Sequence, residues 1–162
     1  MLIVEESLND AEMLISVLRN AGHPVRATRA EDDEDVEKAL DEEKFDLFIC
    51  NTSLEIYPFS KAKEQIAASG KDLPLVALSE VEDSAKRNEM MEAGAVEMVS
   101  KSDLDNFRLV IEREFANLKN RRRLRQVEKS LKETEKRCRS LLDSSRDSIA
   151  YIHEGMHIYA NK

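Results

Sequence analysis

The sequence predicts an α/β fold built on a five-stranded parallel sheet, and three observations carry that expectation. Short apolar runs alternate with amphipathic stretches five times between Leu2 and Leu118, which is the pattern of repeated βα units. The run Asp46-Leu-Phe-Ile-Cys-Asn51 is apolar until its last residue, as a central strand buried on both faces must be. Charged residues make up 36% of the chain while there are only 4 Gly and 3 Pro, a balance that favours helices over a loop-rich or disulfide-stapled scaffold.

Taken in order, Leu2-Ile-Val opens the sheet, and an amphipathic stretch from Asn9 to Ala21 forms the first helix, stopped by Gly22. Pro24-Val-Arg-Ala-Thr28 is the expected second strand. The helix over Asp33 to Glu43 follows, with Asp32 or Asp33 as its cap and leading acids that suit the positive end of its dipole. The third strand enters at Phe45 and ends on Asn51, followed by a helix from about Ser60 to Ser69. Pro74 to Ser79 and Val96 to Val99 supply strands four and five, around a helix from Asp83 to Ala93 that Gly94 ends. Right-handed crossovers and about 118 residues suit the flavodoxin-like strand order 2-1-3-4-5. Function in such sheets sits at the carboxyl ends of the strands, where Glu5, Glu6, Asn51, Ser79 and Lys101 are expected to converge on one pocket.

The fifth helix starts near Asp103 and meets neither Gly nor Pro before Gly155, so it is expected to run to about Ser144 and to leave the globule. Leu104, Phe107, Ile111, Phe115 and Leu118 form the stripe that covers the sheet. The phase then changes. Leu124, Val127, Leu131, Thr134, Cys138 and Leu141 follow alternating spacings of three and four, the mark of a heptad seam and of a parallel two-stranded coil. Beyond it, Asp147 to His153 and Met156 to Lys162 read as two strands around Glu154-Gly155. A two-stranded ribbon cannot bury a core alone, so this segment is expected to begin a further, cut domain. The expected organisation is therefore a domain over 1–118, a coil over 119–145 and the start of a second domain over 146–162.

The formal net charge of −8 argues against general nucleic-acid binding. The charge is unevenly spread: Glu31 to Glu43 holds nine acids and one lysine, whereas Lys119 to Arg139 holds ten basic residues and three glutamates. Both runs suit solvated helix faces. Arg121 to Arg125 is too short for the basic region of a zipper protein. No apolar run approaches the length of a membrane span, and the N-terminus lacks the parts of an export signal. Two cysteines far apart indicate neither a disulfide framework nor a zinc cluster, and the expected compartment is the cytoplasm. Cys50 is expected in the core. His153 and His157 have helical metal spacing, but Gly155 between them signals a turn, and no metal site is assigned. No cofactor is expected.

Leu2-Ile-Val-Glu-Glu6, Asp46 to Asn51, Pro74 to Ser79 and Gly94-Ala-Val-Glu-Met-Val-Ser-Lys101 together resemble the receiver domains of bacterial response regulators over about residues 1–118. The resemblance implies a phosphorylation switch in which two acidic residues hold Mg²⁺, an aspartate accepts the phosphoryl group, and a Ser or Thr and a Lys respond. This chain matches at Ser79 and Lys101. It departs at Glu5 and Glu6, where the family has aspartates, and at Asn51, where it has the acceptor aspartate. Met98 stands at the family's switch aromatic, and Ser102 replaces the proline after the lysine. Phosphoryl transfer needs an anionic carboxylate oxygen, which an asparagine amide does not supply. Each Glu also reaches one methylene further than Asp, which perturbs the octahedral geometry that Mg²⁺ demands. Lys101 is expected to pair with Glu5 or Glu6, or to donate to the Asn51 carbonyl. Thr52 and Ser53 have no recognisable base beside them and are not expected to substitute as acceptors. His23 is expected at the surface, and Tyr57-Pro-Phe59 as either an exposed partner anchor or a cover for the pocket.

These readings lead to a non-catalytic module that dimerises and binds an unidentified protein, with no nucleic-acid partner and no membrane insertion. Leu141-Leu-Asp-Ser-Ser-Arg-Asp-Ser-Ile-Ala-Tyr-Ile152 resembles the entry to a PAS domain. A degenerate receiver followed by PAS resembles the front of cyclic-di-GMP proteins of the FimX type, with downstream GGDEF and EAL domains, linked to type IV pili and twitching motility. The competing expectation is a phosphoacceptor still served by a kinase.

Overall fold

The computed structural model describes residues 1–145, 147 and 149–160. It divides into two compact units, Met1–Leu118 and Lys119–Lys162. In the first, β1 (Leu2–Val4), α1 (Leu8–Asn20), β2 (Thr28–Ala30), α2 (Asp33–Glu42), β3 (Phe48–Asn51), α3 (Phe59–Ser69), β4 (Leu75–Ser79), α4 (Ser84–Glu92) and β5 (Glu97–Ser100) follow one another, and α5 (Leu104–Asp143) then begins. The sheet order is β2-β1-β3-β4-β5 and every pairing is parallel. This is the flavodoxin-like arrangement that the alternating pattern predicts.

Side-chain alternation along the strands builds two apolar layers. Leu2, Val4, Phe48, Cys50, Leu75 and Ala77 face one cluster, which Val36, Leu40 and Ala62 of α2 and α3 complete. Ile3, Leu47, Ile49, Val76 and Leu78 face the other, closed by Leu14 and Leu18 of α1 and by Phe107, Val110 and Ile111 of α5. A strand buried on both faces has no polar side to show, which is why β3 reads as a continuous apolar run.

Local signals set the helix starts. The Ser7 hydroxyl accepts from the Asp10 N–H at 3.2 Å and caps α1. The Asp32 carboxylate accepts from the Asp35 N–H at 3.0 Å and caps α2, satisfying amide groups that the first helical turn leaves without partners. The second strand lies further along than expected: Thr28–Ala30 pairs with β1, and not Pro24 to Thr28. Pro24 has no N–H to give a ladder, the Val25 N–H goes back to the His23 carbonyl at 2.9 Å, and Val25 packs into the core on the α1–α5 side.

Among the second unit's described residues, α5 continues from Lys119 to Asp143 and the seam residues Leu124, Val127, Leu131 and Leu141 are 57–66% exposed. Thr134 and Cys138 are exposed on the same helix. The antiparallel pair β6 (Ala150–His153) and β7 (Met156–Ala160) follows. Its turn has positive φ at both Glu154 (47°) and Gly155 (80°), the handedness that lets a two-residue connection match the strand twist. His153 and His157 thus lie on opposite strands and not on a helix. The expected strand positions Ser148, Asn161 and Lys162, and Arg146 of the approach to them, lie outside the described residues.

Candidate functional site

At the carboxyl ends of β1, β3, β4 and β5 the sheet presents Glu5, Asn51, Ser79 and Lys101. Glu5 is 1% exposed, Asn51 3% and Ser79 2%, so a polar group gathers where neighbouring strands are apolar. Each must therefore find a partner inside the protein.

Glu5 is the hub. Its Oε2 accepts from Asn51 Nδ2 at 2.9 Å and lies 2.8 Å from Lys101 Nζ, while Oε1 accepts from the Ser7 N–H at 3.0 Å. The Asn51 carbonyl oxygen accepts from the Ser53 N–H at 2.9 Å. Lys101 also meets Asp10 Oδ2 at 2.8 Å and Glu80 Oε1 at 2.6 Å, so three carboxylates surround one ammonium. Burial alone would lower the Lys101 pKa. Asp10, Glu5 and Glu80 outweigh that and raise it, and the Lys101 hydrogen bond in turn holds the Asp10 carboxyl below its ordinary range.

Ser79 sits beside this network without entering it. Its hydroxyl donates to the Val81 carbonyl at 3.0 Å, and its own carbonyl accepts the Lys101 N–H at 2.8 Å. Glu6 also stays outside: its side chain is exposed, and its backbone carbonyl accepts from Arg29 Nη1 at 3.2 Å. Of the three partners expected for Lys101, the structure brings it to Glu5. The Asn51 carbonyl is taken by Ser53.

Residues 1–112 match the model of the response regulator receiver domain. The chain belongs to that family. Solved structures agree on the fold: the receiver domain of Francisella response regulator 1452 superposes with a TM-score of 0.61 at 12% identity, covering 72% of this chain and 95% of that one. A candidate response regulator from Chloroflexus aurantiacus gives 0.61 at 26% identity, with 71% and 95% covered. The beryllofluoride-activated NtrC4 receiver domain dimer gives 0.62 at 17% identity, with 72% and 96% covered. No curated protein matches the chain.

The family implies Mg²⁺ at this place, and the residues of this receiver do not fit the ion. Magnesium requires an octahedron of oxygens at about 2.0–2.1 Å. Here Asn51 turns its NH₂ towards Glu5, Lys101 sits against the same carboxylate oxygen, and Glu6 is exposed. Among the described residues no group of three or more His, Cys, Asp or Glu is placed to hold a metal.

Two contributors escape a reading by motif. Asp10 lies in the first turn of α1 and Glu80 directly follows Ser79, so both stand at strand carboxyl ends and carry charge, which is the signal that points to them. Tyr57 and Phe59 are not a surface anchor in this receiver. Tyr57 is 0% and Phe59 8% exposed, both in the apolar cluster under α2 and α3, with Tyr57 Oη donating to Gln65 Oε1 at 2.6 Å. The seven-residue connection from β3 to α3 returns Tyr57, and Phe59 at the start of α3, to the core because their burial is worth more than a polar loop's solvation. His23 is half-buried, its Nε2 3.2 Å from Glu112 Oε1. Cys50 is in the core, where burial, and then the Glu5 charge, pushes its thiol up to about 12.

Proposed function

We propose that this receiver works without accepting phosphate, as a dimerisation and protein-interaction module of a bacterial signalling protein. The observation that carries the reading is the Glu5–Asn51–Lys101 network: the position that should attack phosphorus holds a neutral amide whose oxygen already accepts the Ser53 N–H and whose NH₂ is spent on Glu5. Forming an acyl phosphate needs an anionic carboxylate oxygen, which an amide does not supply. The lysine that would respond to a phosphoryl group is held by three carboxylates instead. With Ser79 turned to its own loop, the pocket acts as structural cement and keeps one state.

Output then has to come from surfaces. The exposed seam from Leu124 to Leu141 supports self-association, and the NtrC4 neighbour is itself a receiver dimer. No helix among the described residues is long and apolar enough to cross a membrane. The segment from Leu141 to Ile152 supports a following PAS domain, and the combination supports a FimX-type receiver–PAS–GGDEF–EAL protein with a cyclic-di-GMP output in pilus-based motility.

Incubation with acetyl phosphate and Mg²⁺ tests the central claim. No covalent label is expected. Efficient acid-labile labelling of the native chain would return the protein to the phosphoacceptors. Light scattering on the full chain and on residues 1–118 tests association: a dimer that becomes monomeric on truncation supports the coil, and a full-length monomer removes dimerisation from the proposal.

A further inference from the structure

We infer that the occupant of the Leu124–Leu141 face is a second copy of this chain, running parallel and in register, with an Arg123–Glu128 pair on each side selecting that orientation. The inference rests on the dimerisation proposed above and gives it a partner, a direction and specific contacts.

The seam fixes the register. Leu124, Leu131 and Cys138 take the a positions of three successive heptads, and Val127, Thr134 and Leu141 the d positions. At 3.6 residues per turn these six side chains fall within an arc of about 100°. They are all exposed on the single helix, and four are large apolar groups at 57–66% exposure. One helix with such a stripe leaves it in water. Two helices cover it with knobs-into-holes packing.

Charge supplies what the apolar stripe lacks, namely direction. The same frame puts Arg123, Ser130 and Arg137 at g, and Glu128, Glu135 and Leu142 at e. In a parallel pair each g residue lies beside the partner's e residue of the next heptad. Arg123 then meets Glu128 twice by symmetry, Ser130 meets Glu135 without repulsion, and Arg137 extends its stem along Leu142. An antiparallel pair brings e to e and g to g. Glu128 would then face Glu135, and Arg123 would face Arg137, so like charges would oppose each other along both flanks. The outward surface shows the contrasting pattern, with Lys129 and Glu133 forming an i,i+4 ion pair within one helix at 3.9 Å. A parallel pair also sets the two Cys138 side chains opposite each other in one a layer.

The test uses the full chain. Cys50 is buried and Cys138 exposed, so a short bismaleimide reports Cys138 alone. The native dimer is expected to cross-link through Cys138, and C138S to lose the product. L124C in the C138S background is expected to regain it, because in-register strands oppose like positions at both ends of the seam. Mixing L124C/C138S with native chain is expected to give little of the mixed product, which an antiparallel pair would favour. R123E sets Glu against Glu128 twice and is expected to weaken the dimer about tenfold in Kd, and R123E/E128R to restore it. A dimer that gives no Cys138 product and ignores both charge changes overturns this inference while leaving dimerisation standing. A native chain that scatters as a monomer overturns both.

Discussion

Replacing Lys101 by Met removes the ammonium while keeping most of the stem, and the structure sets the size of the effect. Glu5 is 1% exposed, and the Lys101 side chain 9%, so this is a buried pair. Removing one partner of a buried pair costs about 3–5 kcal/mol, because the other charge is left without compensation. The lower end applies, since Glu5 keeps the Asn51 NH₂ and the Ser7 N–H. Asp10 and Glu80, 36% and 54% exposed, each add only a few tenths of a kcal/mol once solvent screening is counted. The expected loss is about 3 kcal/mol, or roughly 10 °C in Tm for a unit of this size. Urea unfolding at pH 7, followed by far-UV circular dichroism, measures it as a lower midpoint at unchanged slope. The double variant E5Q/K101M neutralises the stranded carboxylate and should recover more than half of the loss. A K101M midpoint within about 1 kcal/mol of native stability, or a double variant no better than the single one, refutes the claim that the ion pair is what holds the pocket.

Asn51→Asp alone should remain unlabelled by acetyl phosphate with Mg²⁺, because Lys101 and Glu5 still occupy one another; efficient labelling of this variant in a phosphate-affinity gel would show that the other substitutions matter little. Ellman's reagent at pH 8 should leave Cys50 unreacted until the receiver unfolds, since burial raises its thiol to about 12, whereas Cys138, exposed on the single chain, should react before that unfolding. The Asp10 pKa is depressed in the fold, so its contribution is present above the ordinary value of 3.8 and is lost as pH falls through the folded value. The Lys101 pKa is raised, so its contribution is full below 10.5 and is lost as pH rises through the folded value. The stability gap between native chain and K101M should therefore be flat between those limits and shrink outside them, and urea midpoints across pH would expose a gap that varies near neutrality. Phe107→Ala empties a fully buried site between α5 and the sheet and should cost about 3–5 kcal/mol in the same urea assay.

The sheet was legible because burial writes itself into spacing. Phe48 and Cys50 face one cluster and Leu47 and Ile49 the other, which is what a sheet covered on both faces asks for. The caps at Ser7 and Asp32 follow from local hydrogen bonding. The second strand was less legible, because Val25 has the propensity but Thr28 has the partner: ladder formation depends on what β1 offers, which no local window contains. The same limit applies to the pocket. Glu5, Asn51, Ser79 and Lys101 can be picked out by position at strand ends, whereas the choice of Glu5 over Glu6 for Lys101 depends on which side of the strand end each glutamate leaves. Asp10 and Glu80 come to Lys101 from a helix and a loop, through long-range geometry. Tyr57 and Phe59 are left open by the sequence between an exposed anchor and a cover for the pocket, because the loop's return path is invisible in one dimension.

Asn51 also gives the pocket a polarity. Hydrogen bonding runs in one sense, from the Ser53 N–H into the amide oxygen and from the amide NH₂ out to Glu5, where Lys101 donates from the other side. A carboxylate offers only acceptors. At residue 51 it would keep the Ser53 bond and turn the Glu5 contact into two oxygens facing each other. An aspartate at 51 would therefore meet Glu5 as a like charge while Lys101 is already engaged by that same carboxylate, so the direction of one amide sets which single changes the pocket accommodates.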